Sequence, residues 1–438
     1  MLLLIGMVAL LLRLAPMARP DLKFQVGWDA ADYIPLAQGI QHGCGFARYT
    51  NGRCGNPDMS RPPGYPFFVA MMPGLRSVLV IQAVLGSLLC VWLGWFVAEH
   101  WGFAAGILAE VLLATDIPSI VYGGMIMSEE CFQFLIAGGV LLGLSAIDGE
   151  EWSRTSLIKA FVAAAMYTAA AMLRPPGVFL VLFAPLPFLL ASGITWRRAI
   201  GFGLVAFMLP VSAVLGWTAR NERIGYTTFC TDSSYTAYFY NAAGVLAYAD
   251  HRPFNTVSAE LARKVNLPAN HTDIALGIER EMMARTLQIY LAHPLPAALV
   301  TVRGLALVAL VPDRNELNEM IGANGAGPFG LPPSYDLAER LRNTLRSPLL
   351  VTLVAVQLIV MVFVWIGVAR AFMHAHWHSK RAAAFIAIPA AMALVMLICA
   401  ASPDAHARFR VPAMPFLAML AGIGAAASRS GQGGTLRW

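Results

Sequence analysis

Two aspartates, Asp29 and Asp32, stand three residues apart in the stretch GWDAADYIPLAQ. On a helix that spacing puts both carboxylates on one face, with Tyr33 beside them. A carboxylate can take the proton of an attacking hydroxyl when its site excludes water. Helix capping is the competing use. Asp32 suits the N-cap of a helix running through Tyr33 and Pro35, because proline is tolerated in a first turn. Capping explains Asp32 better than Asp29, so Asp29 is the first candidate for chemistry and Asp32 the second.

A second acidic position follows the sequence YGGMIMSEE. Ser128 can cap the helix that starts there, and Glu129 and Glu130 favour its positive dipole end. Two carboxylates at one helix mouth exceed what capping requires, and Glu129 joins the catalytic candidates. Glu110 is different, since it falls near the middle of an apolar run, where an ionised group costs several kcal/mol unless it is paired.

Basic residues gather near the ends of other apolar runs. Arg61 and Tyr65 lie in RPPGYP, whose prolines predict a rigid extended strap. Arg174 stands in MLRPPG, Arg220 in WTARNERIG, and His406, Arg408 and Arg410 in DAHARFRVPAMPF. Arginine forks match phosphate oxygens and stay charged at every relevant pH. Each one alone reads as an interfacial anchor. Several on one face, opposite carboxylates on that face, describe a phosphate-binding site beside a catalytic acid or base.

The elements that must position these residues are membrane helices. The chain of 438 residues is 58% hydrophobic and 13% charged, about half the charge of a soluble domain. That excludes a soluble protein. The net charge of +6 sits mainly in short loops between apolar runs, where it orients a protein in the bilayer rather than binding nucleic acid. Runs long enough to span cover roughly 1–17, 78–97, 103–120, 130–147, 157–173, 176–192, 199–218, 348–369, 382–400 and 411–427. The first lacks a basic leader and an A-x-A-like site, which predicts a retained span. A further stretch, 294–312, carries Arg303 in its middle.

The positive-inside rule decides between ten spans and eleven. With ten, the clusters Arg154/Lys159, Arg197/Arg198, Arg370/Lys380/Arg381 and Arg429/Arg437 all face the cytoplasm. An eleventh span would move two of them across, so 294–312 is expected to be interfacial or re-entrant. The sequence therefore predicts one all-α polytopic membrane domain over 1–438. Polar segments 18–77, 219–347 and 401–410 would face outward, and helices from 348 to 438 would close the chain. Within 219–347, apolar residues recur at helical spacing, as in amphipathic helices packed on a larger body. Cys44 and Cys54 flank a short polar loop on the oxidising side and are expected to pair, with Cys230 as the other candidate partner. No internal repeat is visible, which disfavours a secondary transporter.

The order of these motifs resembles the C-type glycosyltransferases, among them the bacterial relatives of protein O-mannosyltransferases and the lipid A aminoarabinose transferases. The matching residues are Asp29-Ala-Ala-Asp32-Tyr33 with Leu36-Ala37 and the Gly43/Gly45 turn, then Arg61-Pro-Pro-Gly-Tyr-Pro66 and Ser128-Glu129. Arg174-Pro175, Trp217 with Arg220-Asn221, and Arg408-Phe409-Arg410 with Pro412 and Pro415 complete the set. The likeness runs over about the whole chain, loosely across 230–345. It implies inverting transfer of a sugar from a polyprenyl monophosphate to a lipid, glycan or protein acceptor outside a bacterial plasma membrane. Asp29 would act as general base or orient the acceptor, Glu129 would be the second acidic residue, and the arginines would hold the lipid phosphate. No cofactor is required, although in some relatives the regions of Asp29 and Glu129 flank a divalent metal. This chain is shorter than such relatives, which leaves acceptor class and metal open. The competing readings are a flippase or transporter for a lipid-linked sugar and a non-catalytic envelope-assembly protein.

Overall fold

A computed structural model describes residues 1–18, 26, 29–149, 151–265, 277–310, 348–374, 380–403 and 405–427, without the side chains of 380–382. The expected helices largely form, because in lipid a chain must satisfy its own backbone hydrogen bonds. Seven helices among the described residues are long and apolar enough to cross a membrane. They are Leu75–Trp101, Glu129–Ile147, Arg154–Leu173, Trp196–Arg223, Pro348–Met373, Ala383–Ala400 and Ala407–Ala426. Two bent pairs raise the count to nine if each is one span. The expected ten or eleven is thus not confirmed among the described residues.

The differences have local causes. The run 103–120 breaks with a 52° bend between Phe103–Ala114 and Ile117–Gly123. There Asp116 caps the second piece by accepting from the Ser119 amide, and Pro118 lies in its first turn. The run 176–192 becomes a short helical segment, Pro175–Leu190, because consecutive prolines interrupt the backbone ladder after Arg174. The first run is likewise short, Leu2–Ala18. The ambiguous stretch forms Pro294–Leu310, folded back by 103° against Ile278–Ala292. Arg429, Arg437 and the segments 19–25, 266–276 and 311–347 lie outside the described residues.

Before the Leu75–Trp101 helix, the chain builds a small polar layer. The helix Ala30–Gln41 packs on an antiparallel hairpin, Ala47–Thr50 with Arg53–Pro57, which departs from the all-α expectation. Asn51 and Gly52 both have positive φ at the hairpin tip, as a tight turn between twisted strands requires. The Cys44–Cys54 disulfide joins that hairpin to the loop before it, with Cα atoms 5.6 Å apart. Cys230 is a buried free thiol near the Ser233 hydroxyl. Closing a loop of this size contributes about 2–3 kcal/mol in the chain-entropy model. Replacing Cys44 and Cys54 by Ser should lower stability by about that amount, read as a shift in thermal unfolding. Mass spectrometry finding both thiols free in native membranes would overturn the pairing.

A second polar layer lies between the Trp196–Arg223 and Pro294–Leu310 helices. It contains Asp232–Tyr235, a π-helical turn Thr236–Ala242, Ala243–Ala249, Phe254–Lys264 and Ile278–Ala292. Tyr238, Phe239, Val257, Leu261 and Met282 form its own small core. The amphipathic spacing predicted Phe254–Lys264 and Ile278–Ala292, and the three short elements before them were not foreseen. It did not predict where they dock: the amides of Thr231 and Asp232 donate to the carbonyls of Met59 and Ser60.

Candidate active site

The first-loop carboxylates are positioned by a helix start. Asp29, not Asp32, occupies the N-cap of Ala30–Gln41, and it makes no side-chain cap. Both carboxylates turn to guanidiniums instead. An ion pair with a guanidinium adds the attraction of a full positive charge, which a backbone N–H does not offer. Arg61 donates to Asp29 at 2.9 Å and to Asp32 at 2.8 Å, and Arg48 reaches Asp32 at 2.7 Å and Asp58 at 2.8 Å.

Arg61 does not sit on an extended strap as predicted. Pro63 caps a helix, Gly64–Ala70, so Tyr65 and Pro66 fall in its first turn, where the missing proline N–H costs nothing. Gly64 makes the placement possible: a Cβ there would lie 2.8 Å from the Met172 carbonyl oxygen. The strap thus packs against the end of the Arg154–Leu173 helix, immediately before Arg174. Tyr65 is fully buried and donates to Gln82 at 2.6 Å, with its ring edge on Tyr33. The Tyr65 hydroxyl is thus engaged by Gln82, a residue of the Leu75–Trp101 helix.

Ser128 stands at the N-cap of Glu129–Ile147 without capping it. Its hydroxyl meets Arg174 at 3.2 Å and Tyr33 at 3.4 Å. The two adjacent glutamates then part. Glu129, fully buried, accepts from Arg174 at 2.5 Å and from Arg408. Glu130 points into the bundle, 3.6 Å from Arg13, both fully buried. Arg408 also binds Asp29. The groups therefore alternate in charge from end to end: Arg174, Glu129, Arg408, Asp29, Arg61. All of them lie at helix ends on one end of the bundle.

Two expected phosphate ligands, Arg410 and Arg220, are engaged elsewhere. Arg410 follows Arg408 by two residues in a 3-10 segment, Ala407–Ala413, which turns it about 240° away. It is fully buried, donates to the Val308 carbonyl at 2.7 Å and lies 3.9 Å from Asp116. Arg220 binds the carbonyls of Asp58 and Phe46 and stacks on Trp217, tying the hairpin loop to its own helix. His406 packs its ring on Phe409. Glu110 is fully buried between helices, and neither of its carboxylate oxygens has a hydrogen-bond partner among the described residues.

One residue that sequence reasoning passed over enters the cluster. Asp232 forms an ion pair with the second arm of Arg61 at 3.2 Å. The sequence holds no signal for it beyond a lone carboxylate in CTDSS. Arg13 was passed over in the same way, inside the first apolar run.

The charge pattern sorts the carboxylates. Burial alone would raise Asp29, but the guanidiniums of Arg408 and Arg61 outweigh it and hold the carboxyl well below the usual range. Such a group is a weak base and a strong electrostatic anchor. Asp232 goes the other way: burial raises it, and Arg61 only partly opposes this. Tyr33 is pushed up to about 12 by burial and by the negative charge of Asp29. The residues do not fit a divalent metal. A guanidinium already fills the position between Asp29 and Glu129, and no group of three or more metal-binding side chains occurs among the described residues.

No protein-family model and no curated protein matches the sequence. The likeness is structural. The oligosaccharyltransferase of Archaeoglobus fulgidus, tethered by a disulfide to an acceptor peptide with the NVT sequon, aligns at TM-score 0.51 and 14% identity, covering 98% of this chain and 50% of that one. The same enzyme with an inhibitory peptide and a dolichol-phosphate aligns at TM-score 0.51 and 12% identity, covering 99% and 52%. ArnT of Cupriavidus metallidurans bound to undecaprenyl phosphate aligns at TM-score 0.41 and 14% identity, covering 97% and 77%. The chain thus spans about half the length of the oligosaccharyltransferase. Membrane-crossing helices, polar layers at one bundle end and this alignment together make the chain a multi-pass membrane protein of the C-type glycosyltransferase fold.

Proposed function

We propose that the protein transfers a sugar from a polyprenyl-phosphate carrier to a lipid, glycan or protein acceptor on the outer side of a bacterial plasma membrane. The observation that carries this reading is Arg408, shared between Asp29 and Glu129 while Arg174 binds the same Glu129 oxygen. Two arginines on one buried carboxylate form a receptor for a dianionic phosphate. As the sugar leaves, negative charge grows on that phosphate, and preorganised guanidiniums lower the barrier most where charge develops. Asp29 holds Arg408 and Arg61 in register. Inversion follows from in-line attack on the anomeric carbon, opposite the phosphate. The structural relative solved with a dolichol-phosphate supports a lipid phosphate in this fold.

A flippase for a lipid-linked sugar is the second reading. It is favoured by charges buried deep among the helices, Arg13 with Glu130 and Arg410 near Asp116. The chemical fate of the donor separates the two. Cells lacking the protein should accumulate a polyprenyl-phosphate sugar by lipid mass spectrometry. The purified protein, given membranes from those cells, should convert that lipid to free polyprenyl phosphate. A donor that crosses the bilayer with its sugar bond intact would establish the flippase instead.

A further inference from the structure

Inverting transfer needs a base on the acceptor side of the sugar, and Asp29 is badly placed for it. Asp29 binds Arg408, the guanidinium assigned to the departing phosphate. Beyond Asp29 the alternating chain continues through Arg61 to Asp232. Arg61 thus holds two carboxylates besides Asp29: Asp32, which Arg48 also binds, and Asp232, whose only ion-pair partner among the described residues is Arg61. The Asp232 side chain is 28% exposed, against 24% for Asp32, 13% for Asp29 and 0% for Glu129, so it is mostly enclosed yet keeps one edge open to an acceptor.

We propose that Asp232 is the general base: its carboxylate takes the proton of the acceptor hydroxyl as that oxygen attacks the anomeric carbon. This rests on the transfer reading given above. The new bond joins acceptor oxygen to the anomeric carbon. The bond from that carbon to the phosphate oxygen breaks, and its electron pair leaves on the polyprenyl phosphate. Asp232 later releases the proton to water.

Three features support the assignment. The backbone of Asp232 is fixed against the Arg61 segment, with the Thr231 and Asp232 amides bonded to the Met59 and Ser60 carbonyls at 3.0 and 3.2 Å. The helix beginning at Asp232 passes directly into the π-helical turn Thr236–Ala242, and such wide turns recur at functional sites. The electrostatics also agree. Arg61 faces Asp232 from the Gly64–Ala70 side, Asp29 and Asp32 from the Ala30–Gln41 helix, and Arg174 from the end of Arg154–Leu173. Cys230 and Tyr235 are its titratable neighbours on its own segment. Burial and the two aspartates raise the carboxyl while Arg61 and Arg174 oppose them, and the balance is upward. When environments push the carboxylates of one site apart, the raised one is the better base.

Azide tests this without knowledge of the acceptor. As an anion it attacks the anomeric carbon with no proton to remove. The probes are full-length protein and the polyprenyl-phosphate sugar isolated from cells lacking it. Asp232→Ala should lower donor consumption with native membranes about 100- to 10,000-fold. Azide should then restore donor cleavage by at least about tenfold, giving the inverted glycosyl azide and free polyprenyl phosphate. Asp29→Ala should show no recovery, because its donor side is lost. Asp232→Asn replaces the alanine variant should that fail to fold. Undecaprenyl phosphate binding should be unchanged in either Asp232 variant. Turnover within about threefold of wild type would overturn the proposal. So would a loss that azide does not restore while undecaprenyl phosphate still binds normally. Failure of the transfer reading itself is visible in the wild-type protein alone, which would then cleave no polyprenyl-phosphate sugar.

Discussion

Asp29→Asn should cut sugar transfer by about two to three orders of magnitude and leave the protein folded and inserted. Asparagine is nearly the same shape, so the packing at the start of the Ala30–Gln41 helix survives. Only the negative charge goes. That charge binds Arg408 on one oxygen and Arg61 on the other. Without it, the two guanidiniums repel each other and the phosphate receptor opens. Asp32→Asn should be milder, since Asp32 is the more exposed carboxylate, at 24%, and Arg61 keeps Asp29 and Asp232 as partners. Breaking a buried ion pair costs stability as well, up to about 3–5 kcal/mol. Donor turnover must therefore be measured beside thermal unfolding. Wild-type turnover in a folded Asp29→Asn protein would remove the centre of the proposed mechanism.

Arg408→Ala should weaken donor recognition, lowering turnover at limiting donor about 10- to 150-fold. This corresponds to about 1.5–3 kcal/mol for one charge-assisted contact to phosphate. The same change leaves Asp29 with Arg61 and Glu129 with Arg174, so neither carboxylate is stranded. The Kd for undecaprenyl phosphate should rise by a similar factor. Arg408→Lys should recover part of the loss, because lysine keeps the charge but cannot fork between two carboxylates. Unchanged turnover and unchanged lipid affinity would reassign Arg408 to anchoring the Ala407–Ala413 segment.

The two variants probe residues that the amino-acid order already exposes. Glu129, Arg174 and Arg408 stand at the margins of long apolar runs, where a charge is conspicuous because burying it is costly, and Asp29 is revealed by its three-residue spacing from Asp32. Asp232 offers no such contrast, since it sits in a polar segment among other polar residues. Its meeting with Arg61 depends on a remote part of the chain folding back over the 58–61 segment. Arg408 and Arg410 are alike in type and neighbourhood, yet a 3-10 turn sends one to Asp29 and Glu129 and the other to Val308 and Asp116. The prolines after Arg61 misled in the opposite direction. Extended backbone is the local preference of such a run, but Pro63 caps a helix and the strap curls into it.

Composition and the lengths of apolar runs were enough to establish a multi-pass helical protein, because the bilayer acts on each stretch of chain almost independently. Every run must be apolar enough for lipid and must satisfy its own backbone, and both demands are local. Span continuity and charge pairing are different in kind. Whether 103–120 or 294–310 crosses straight or bends depends on a cap at Asp116 and on what packs beside each piece. Which carboxylate meets which arginine depends on the helix ends that adjoin and the direction each side chain takes. A guanidinium can serve two carboxylates, as Arg408 does for Asp29 and Glu129, only when packing brings three separate chain segments within a few ångströms. Those are properties of the assembled bundle, and no stretch of the chain carries them alone.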